Sequence, residues 1–254
     1  MNSRVFHNRL YLLLIALAIA IVWIGVVATS LGEESVMAVV FFDIKANYPG
    51  YISYPFTLQN LMWLMFFIGL GELFYRYQTI RQSRGAIKNN YLSEDPTLFY
   101  TLEDVVDIRK VTYSKSDILA NLLNVLTIRY QVSKSVDETH QMLNSQLELM
   151  QFKLDVDYNM IRYITWLIPT LGFIGTVIGI ALALAAAGEP GAAESANFLA
   201  MLTTKLAVAF NTTLVALIMS AILVYIMHLV QGGEERMMHR CGEYCLNHFI
   251  NKLM

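Results

Sequence analysis

Four long apolar runs punctuate the chain, arranged as two pairs on either side of a polar stretch. The first runs from Leu10 to Leu31 behind Arg4 and Arg9, and the second from about Thr57 to Tyr77. The third covers about 161–187 and the fourth about 203–231. About 20 apolar residues suffice to cross the hydrocarbon of a bilayer, so the pattern predicts four transmembrane helices. The first run is longer than a signal-peptide core and lacks a clear A-x-A cleavage site, so it reads as a retained anchor.

Charges orient these spans. Arg4 and Arg9 precede the first, and Arg76, Arg81, Arg84 and Lys88 follow the second. Arg162 precedes the third, and Arg236 and Arg240 follow the fourth. By the positive-inside rule both termini and the stretch between the pairs face the cytoplasm. The loop 32–56, with Pro49, Gly50 and Pro55, and the short loop with Glu189 and Glu194 then face outward.

The stretch from 78 to 160 reads as a cytoplasmic helical domain. Asp95-Pro96 and Ser116-Asp117 are helix-start signals, an N-cap residue followed by proline in the first case. From about Ser135 there is no Pro or Gly until Pro169, and Leu143, Leu147, Met150, Leu154, Ile161, Ile164 and Ile168 keep a three-and-four spacing. The third span is therefore expected to continue into the cytoplasm as one long amphipathic helix. Its stripe either packs against neighbouring helices or also transmits movement from the membrane. The fold class that results is an all-α polytopic membrane protein with peripheral hairpin 1–77, cytoplasmic domain 78–160, helix pair 161–231 and cytoplasmic tail 232–254.

Small and weakly polar residues are not scattered through the last two spans. Gly172, Thr176, Gly179, Ala183 and Ala186 fall on one face of the third, with Gly175 beside them. Ala209, Thr213, Ala216 and Ser220 do the same on the fourth, flanked by Thr212 and Asn211. Such stripes permit close helix packing in lipid, and hydroxyls there need a partner or water. Thr176, Thr212 and Thr213 either bond back to their own helices or line a water-filled path between subunits. Asn211 either faces that path or supports a helix contact. Pro169 removes a backbone hydrogen bond within its helix and serves packing or a pivot. Glu72 is expected to pair with Arg76 at the i,i+4 spacing near the inner boundary, and Lys205 to snorkel at the outer end of the fourth span.

Composition narrows the function. Of 254 residues 56% are hydrophobic and 15% charged, and the formal charge of −2 offers nucleic acid no basic face. Cys241 and Cys245 lie near His239 and His248, a loose match to zinc spacing, and are expected to be free thiols with no metal. No G-x-S-x-G elbow, Walker loop or H-E-x-x-H occurs, so no enzyme is expected. The deep parts of the third and fourth spans contain no Asp, Glu or His. A proton relay normally needs such a group, so a conducting assembly would draw its carboxylate from another polypeptide.

The runs PTLGFIGTVIGI and LAVAFNTTLVALI resemble the paired motifs of the MotA/TolQ/ExbB proton-channel family, most strongly over about 135–231. The resemblance implies a homopentamer around a dimer of a single-span protein of the MotB/ExbD/TolR kind, whose membrane aspartate carries the coupling ion. It also implies that Thr176 and Thr213 are the channel threonines, with Thr212 as neighbour, and that ion flow drives rotation or mechanical work in a bacterial inner membrane. No cofactor is implied beyond the coupling ion, H+ or Na+. Four spans resemble the flagellar branch, whereas GTVIGI leans toward TolQ/ExbB. A non-conducting scaffold, its small faces serving oligomer packing, is the competing expectation.

Overall fold

The computed structural model describes residues 3–30, 40–42, 55–87, 91–92, 95, 98–113, 115, 117–191 and 197–254. Most of the expected outer loop 32–56 lies outside these residues, as do Lys88, Pro96, Ser116 and Glu194 and the side chains of Arg4 and Arg84. The described chain is helical: α1 Ser3–Ser30, α2 Leu58–Ile87, α3 Leu102–Tyr113, α4 Ile118–Ser133, α5 Val136–Ala187 and α6 Phe198–His248, followed by a 3-10 turn Ile250–Lys252. Among the described residues four helices, α1, α2, α5 and α6, are long and apolar enough to cross a membrane. The chain is a multi-pass membrane protein.

It divides into two compact units, Met1–Tyr75 with Met160–Met227, and Arg76–Asn159 with His228–Met254. In the first unit α1 meets α2 through small residues. Ala16 and Ala20 are buried, and a Cβ on Gly71 would stand 2.6 Å from that of Ala16. The other faces of α1 remain open, with Leu14, Ile21 and Val22 more than half exposed, as suits a helix against lipid. Trp63 holds one end of the hairpin: its indole N–H donates to the Phe41 carbonyl at 3.1 Å, and its ring stacks on Phe42 with centroids 5.6 Å apart.

Glu72 is buried in this unit and Arg9 grips its carboxylate with two nitrogens, each at 2.9 Å. The expectation of a local pair with Arg76 missed this partner 63 positions away. A carboxylate in the hydrocarbon region needs a hydrogen-bonded counter-charge, and α1 supplies it. Arg76 belongs to the second unit, where it faces Glu234 at 3.3 Å and Asp157 at 3.5 Å and lies over the Tyr158 ring at 4.5 Å. The Tyr158 hydroxyl donates to the same Glu234 carboxylate at 2.8 Å. Planar guanidinium stacking and paired donors suit arginine rather than lysine.

Local signals explain the helices of the second unit. Asp117 caps α4 by accepting from the Ala120 N–H at 3.3 Å, and Lys134, at φ 53°, ends it in the left-handed region. Ser135 then starts α5, its hydroxyl accepting from the Glu138 N–H at 3.3 Å. The stripe on α5 turns inward in both units: Leu143, Leu154, Ile161, Ile164 and Ile168 are all buried. α6 runs on through Gly232 and Gly233 to His248, so the helix that holds the fourth span also holds most of the tail 232–254. Glycine costs a helix interior about 1 kcal/mol. Burial of Met237, Cys241 and Cys245 against Leu119, Leu123 and Leu126 outweighs that cost.

Candidate functional site

In the first unit the two small-residue stripes meet each other. Gly172 faces Ala216 and the backbone of Thr212 and Thr213, Gly175 faces Thr212, and Gly179 faces Ala209. A Cβ on Gly175 would stand 2.6 Å from the Thr212 hydroxyl, and one on Gly179 would stand 2.5 Å from the Ala209 Cβ. Close approach is thus why glycine occupies these positions. Ala209 and Ala216 are fully buried in the seam. The deepest parts of both stripes are taken up by packing within one chain, the close helix contact that such stripes permit.

The seam gathers all three threonines. The Gly172 carbonyl accepts from Thr213 at 3.1 Å, Thr176 at 3.3 Å and Thr212 at 3.4 Å. Ala209 offers a second carbonyl, 2.8 Å from Thr212 and 3.1 Å from Thr176. Thr176 and Thr213 are also in direct hydroxyl-to-hydroxyl contact. Each hydroxyl has one proton to donate, so these contacts cannot all be made at once. Thr212 gives its proton to Ala209, its shortest contact. Thr176 and Thr213 share one proton between them and pass the other to a carbonyl. That second proton goes to Gly172 when Thr176 donates to Thr213, and to Ala209 or Gly172 when Thr213 donates to Thr176. The pair therefore has more than one proton arrangement.

Thr212 is 3% exposed, whereas Thr176 and Thr213 are half-buried at the margin of the seam. Asn211 is half-buried beside them and has no hydrogen-bond partner among the described residues. Both hydroxyls at the margin can thus meet something outside the chain, while Thr212 mainly holds α5 to α6.

Pro169 shows a function of Ser220 that small-residue spacing did not reveal. Proline has no N–H, so the carbonyl four residues earlier, Thr165, loses its helical donor. Ser220 supplies a replacement, its hydroxyl donating to the Thr165 carbonyl at 3.0 Å. Ser220→Ala leaves that carbonyl unpaired within hydrocarbon. It is expected to destabilise the α5–α6 pair by about 1–2 kcal/mol, read as a shift in the unfolding midpoint in detergent, with Ser220→Thr restoring it.

In the second unit Cys241 and Cys245 are buried in the helical core while His239 is exposed. Among the described residues no group of three His, Cys, Asp or Glu side chains is placed to hold a metal.

No curated protein and no solved structure matches the chain. The sequence pattern of the MotA/TolQ/ExbB proton channel family matches residues 113–242. That match takes in α4, the whole of α5 and all but the last turns of α6, and so includes every threonine of the seam and all three of its glycine contacts. Over half its length, this chain belongs to the MotA/TolQ/ExbB proton channel family.

Proposed function

We propose that this chain is the ion-conducting stator subunit of a membrane motor, coupling proton or sodium flow to rotation or other mechanical work. Five copies would surround two copies of a single-span partner of the MotB/ExbD/TolR kind, which brings the membrane aspartate. The observation that carries the reading is the hydroxyl pair Thr176–Thr213 at the open margin of the seam, in spans without a deep carboxylate of their own. Hydroxyls and carbonyls can solvate a passing ion or hydrated proton, while the carboxylate that holds it comes from outside. Charge transfer through 100 mV yields about 2.3 kcal/mol, enough to bias the repacking of a small interface. Basic residues flanking the spans favour an inner-membrane orientation with both termini cytoplasmic.

The test is ion flux into proteoliposomes containing this chain with and without its co-expressed single-span partner. Flux is expected only with the partner. Thr213→Val is expected to cut it about tenfold, the change for a barrier raised by about 1.4 kcal/mol. Native mass should stay unchanged, with five copies of the 28.8 kDa chain contributing about 144 kDa. Flux from this chain alone would sink the proposal.

A scaffold without conduction draws support from one observation: all three hydroxyls find acceptors inside the chain. Under that reading Thr213→Val lowers the unfolding midpoint and leaves flux as it was.

A further inference from the structure

Beside the seam, still within the first unit, α2, α5 and α6 border a small, partly open pocket whose walls include Thr57, Gln59, Gly175, Gly179, Lys205 and Thr212 among apolar side chains. About 30 Å³ of it is open to water-sized spheres, and a site for one water needs roughly 10–15 Å³ by that measure. Two waters fit. Glycine at 175 and 179 brings the α5 backbone close to Thr212 and leaves this space unfilled.

The hydrogen-bond inventory of the walls asks for them. Gln59 is 1% exposed, and its side-chain Nε2 has no partner among the described residues. A buried amide nitrogen without a partner keeps the full cost of its lost hydration. Lys205 is half-buried and has no hydrogen-bond or ion-pair partner among the described residues. Thr57 donates its proton to the Phe42 carbonyl at 3.3 Å and accepts from the Asn60 N–H at 3.2 Å. Thr212 donates to Ala209. Both threonines therefore present spare lone pairs and no free proton.

Two donors and two acceptors around a volume for two waters are complementary to water, which both donates and accepts. A cation would meet the Lys205 charge and the amide hydrogens, and an anion would meet the threonine lone pairs. We propose that this pocket is a hydration site whose waters join Gln59 and Lys205 to the Thr212 hydroxyl. These waters bring solvent from the Lys205 end to the threonine seam within a single protomer. This last step rests on the ion-path reading; the hydration itself does not.

The experiment is radiolytic hydroxyl labelling in H2-18O of the full chain in lipid nanodiscs, together with flux in the co-expressed complex. In the wild type, Ile178 and Leu182, which line the pocket, are expected to take up label several-fold faster than Val215, which is 1% exposed in the same helix pair. Gln59→Leu should lower that labelling to the Val215 level, and Gln59→Glu, which keeps a polar group there, should retain it. Labelling at the Val215 level in the wild type, or unchanged in Gln59→Leu, overturns the site. If Gln59→Leu fails to fold, Lys205→Met gives the same comparison from the other wall. In the complex, Gln59→Leu should lower flux about fivefold or more. Labelling that depends on Gln59 while flux does not would overturn the supply of solvent to the seam. Absence of flux even in the wild-type complex would sink the motor reading and leave the labelling result to stand alone.

Discussion

Gly179→Val is expected to stop α5 and α6 from closing on each other, and to leave little folded protein. A Cβ at this position would stand 2.5 Å from the Ala209 Cβ, 2.9 Å from its Cα and 3.1 Å from its nitrogen. Two of those atoms are backbone, so no rotamer change relieves the clash, and valine adds two further methyls. Overpacking of an established contact costs about 1–3 kcal/mol, and more where the backbone must move. Helices in lipid also depend on close approach, because the surrounding tails are as apolar as the side chains. The expected loss is about 3 kcal/mol, together with the threonine hydrogen bonds that the separation would break. The measure is the yield of monodisperse protein and its unfolding midpoint in detergent. Gly25→Val is the control, since a Cβ at Gly25 meets nothing within 4 Å. Equal yields and midpoints for the two variants would show that the α5–α6 contact tolerates separation.

The second large effect lies in the other unit. Phe249 is fully buried among Tyr100, Leu119, Leu123, Leu126 and Cys245, with the Tyr100 ring 6.2 Å away. Truncating a buried phenylalanine costs about 3–5 kcal/mol when the cavity cannot collapse. Collapse is hindered here because neighbouring backbone is fixed: the Tyr100 N–H donates to the Lys252 carbonyl at 2.7 Å, and the Lys252 ammonium donates to the Asp95 carbonyl at 2.7 Å. Phe249→Ala should therefore lower amide-exchange protection across α4 and residues 237–253, while amides between Gly172 and Ala186 keep theirs. Uniform loss across both groups would mean that the two units unfold as one.

How far the sequence could be read differs by the range of the interaction. Helix existence is local: the unbroken run from Ser135 to Pro169 and its three-and-four stripe already describe α5, and Asp117 announces the start of α4. The match between the two small-residue stripes was visible as spacing, although spacing alone could not say whether each stripe meets its neighbour in the chain or another subunit. Interactions that depend on tertiary partners were not legible. Nothing beside Glu72 pointed to Arg9. Nothing around Ser220 pointed to a carbonyl orphaned by Pro169 on another helix, though a hydroxyl facing a helix-internal proline is a signal that could have been sought. The reach of α6 past Gly232 and Gly233 was not legible either, because burial of Met237 and Cys241 against another helix sustains it there. Gln59 looked like an ordinary residue near the start of a span until its walls were known.

The strand-like pairing of Tyr100 with Leu253 sets a timetable for the second unit. The residues it joins are separated by the whole of α5 and α6, so the core of that unit has very high contact order and closes slowly. Synthesis proceeds at about 5–20 residues per second, so on the order of ten seconds pass between the emergence of α4 and that of Leu253. Throughout that interval Leu119, Leu122, Leu123 and Leu126 lack the α6 surface that later buries them, and α5 and α6 must reach the bilayer meanwhile. The nascent chain thus carries α4 covered by α3 alone for longer than collapse takes, and the face that α6 later buries stays open to wrong partners in the interim.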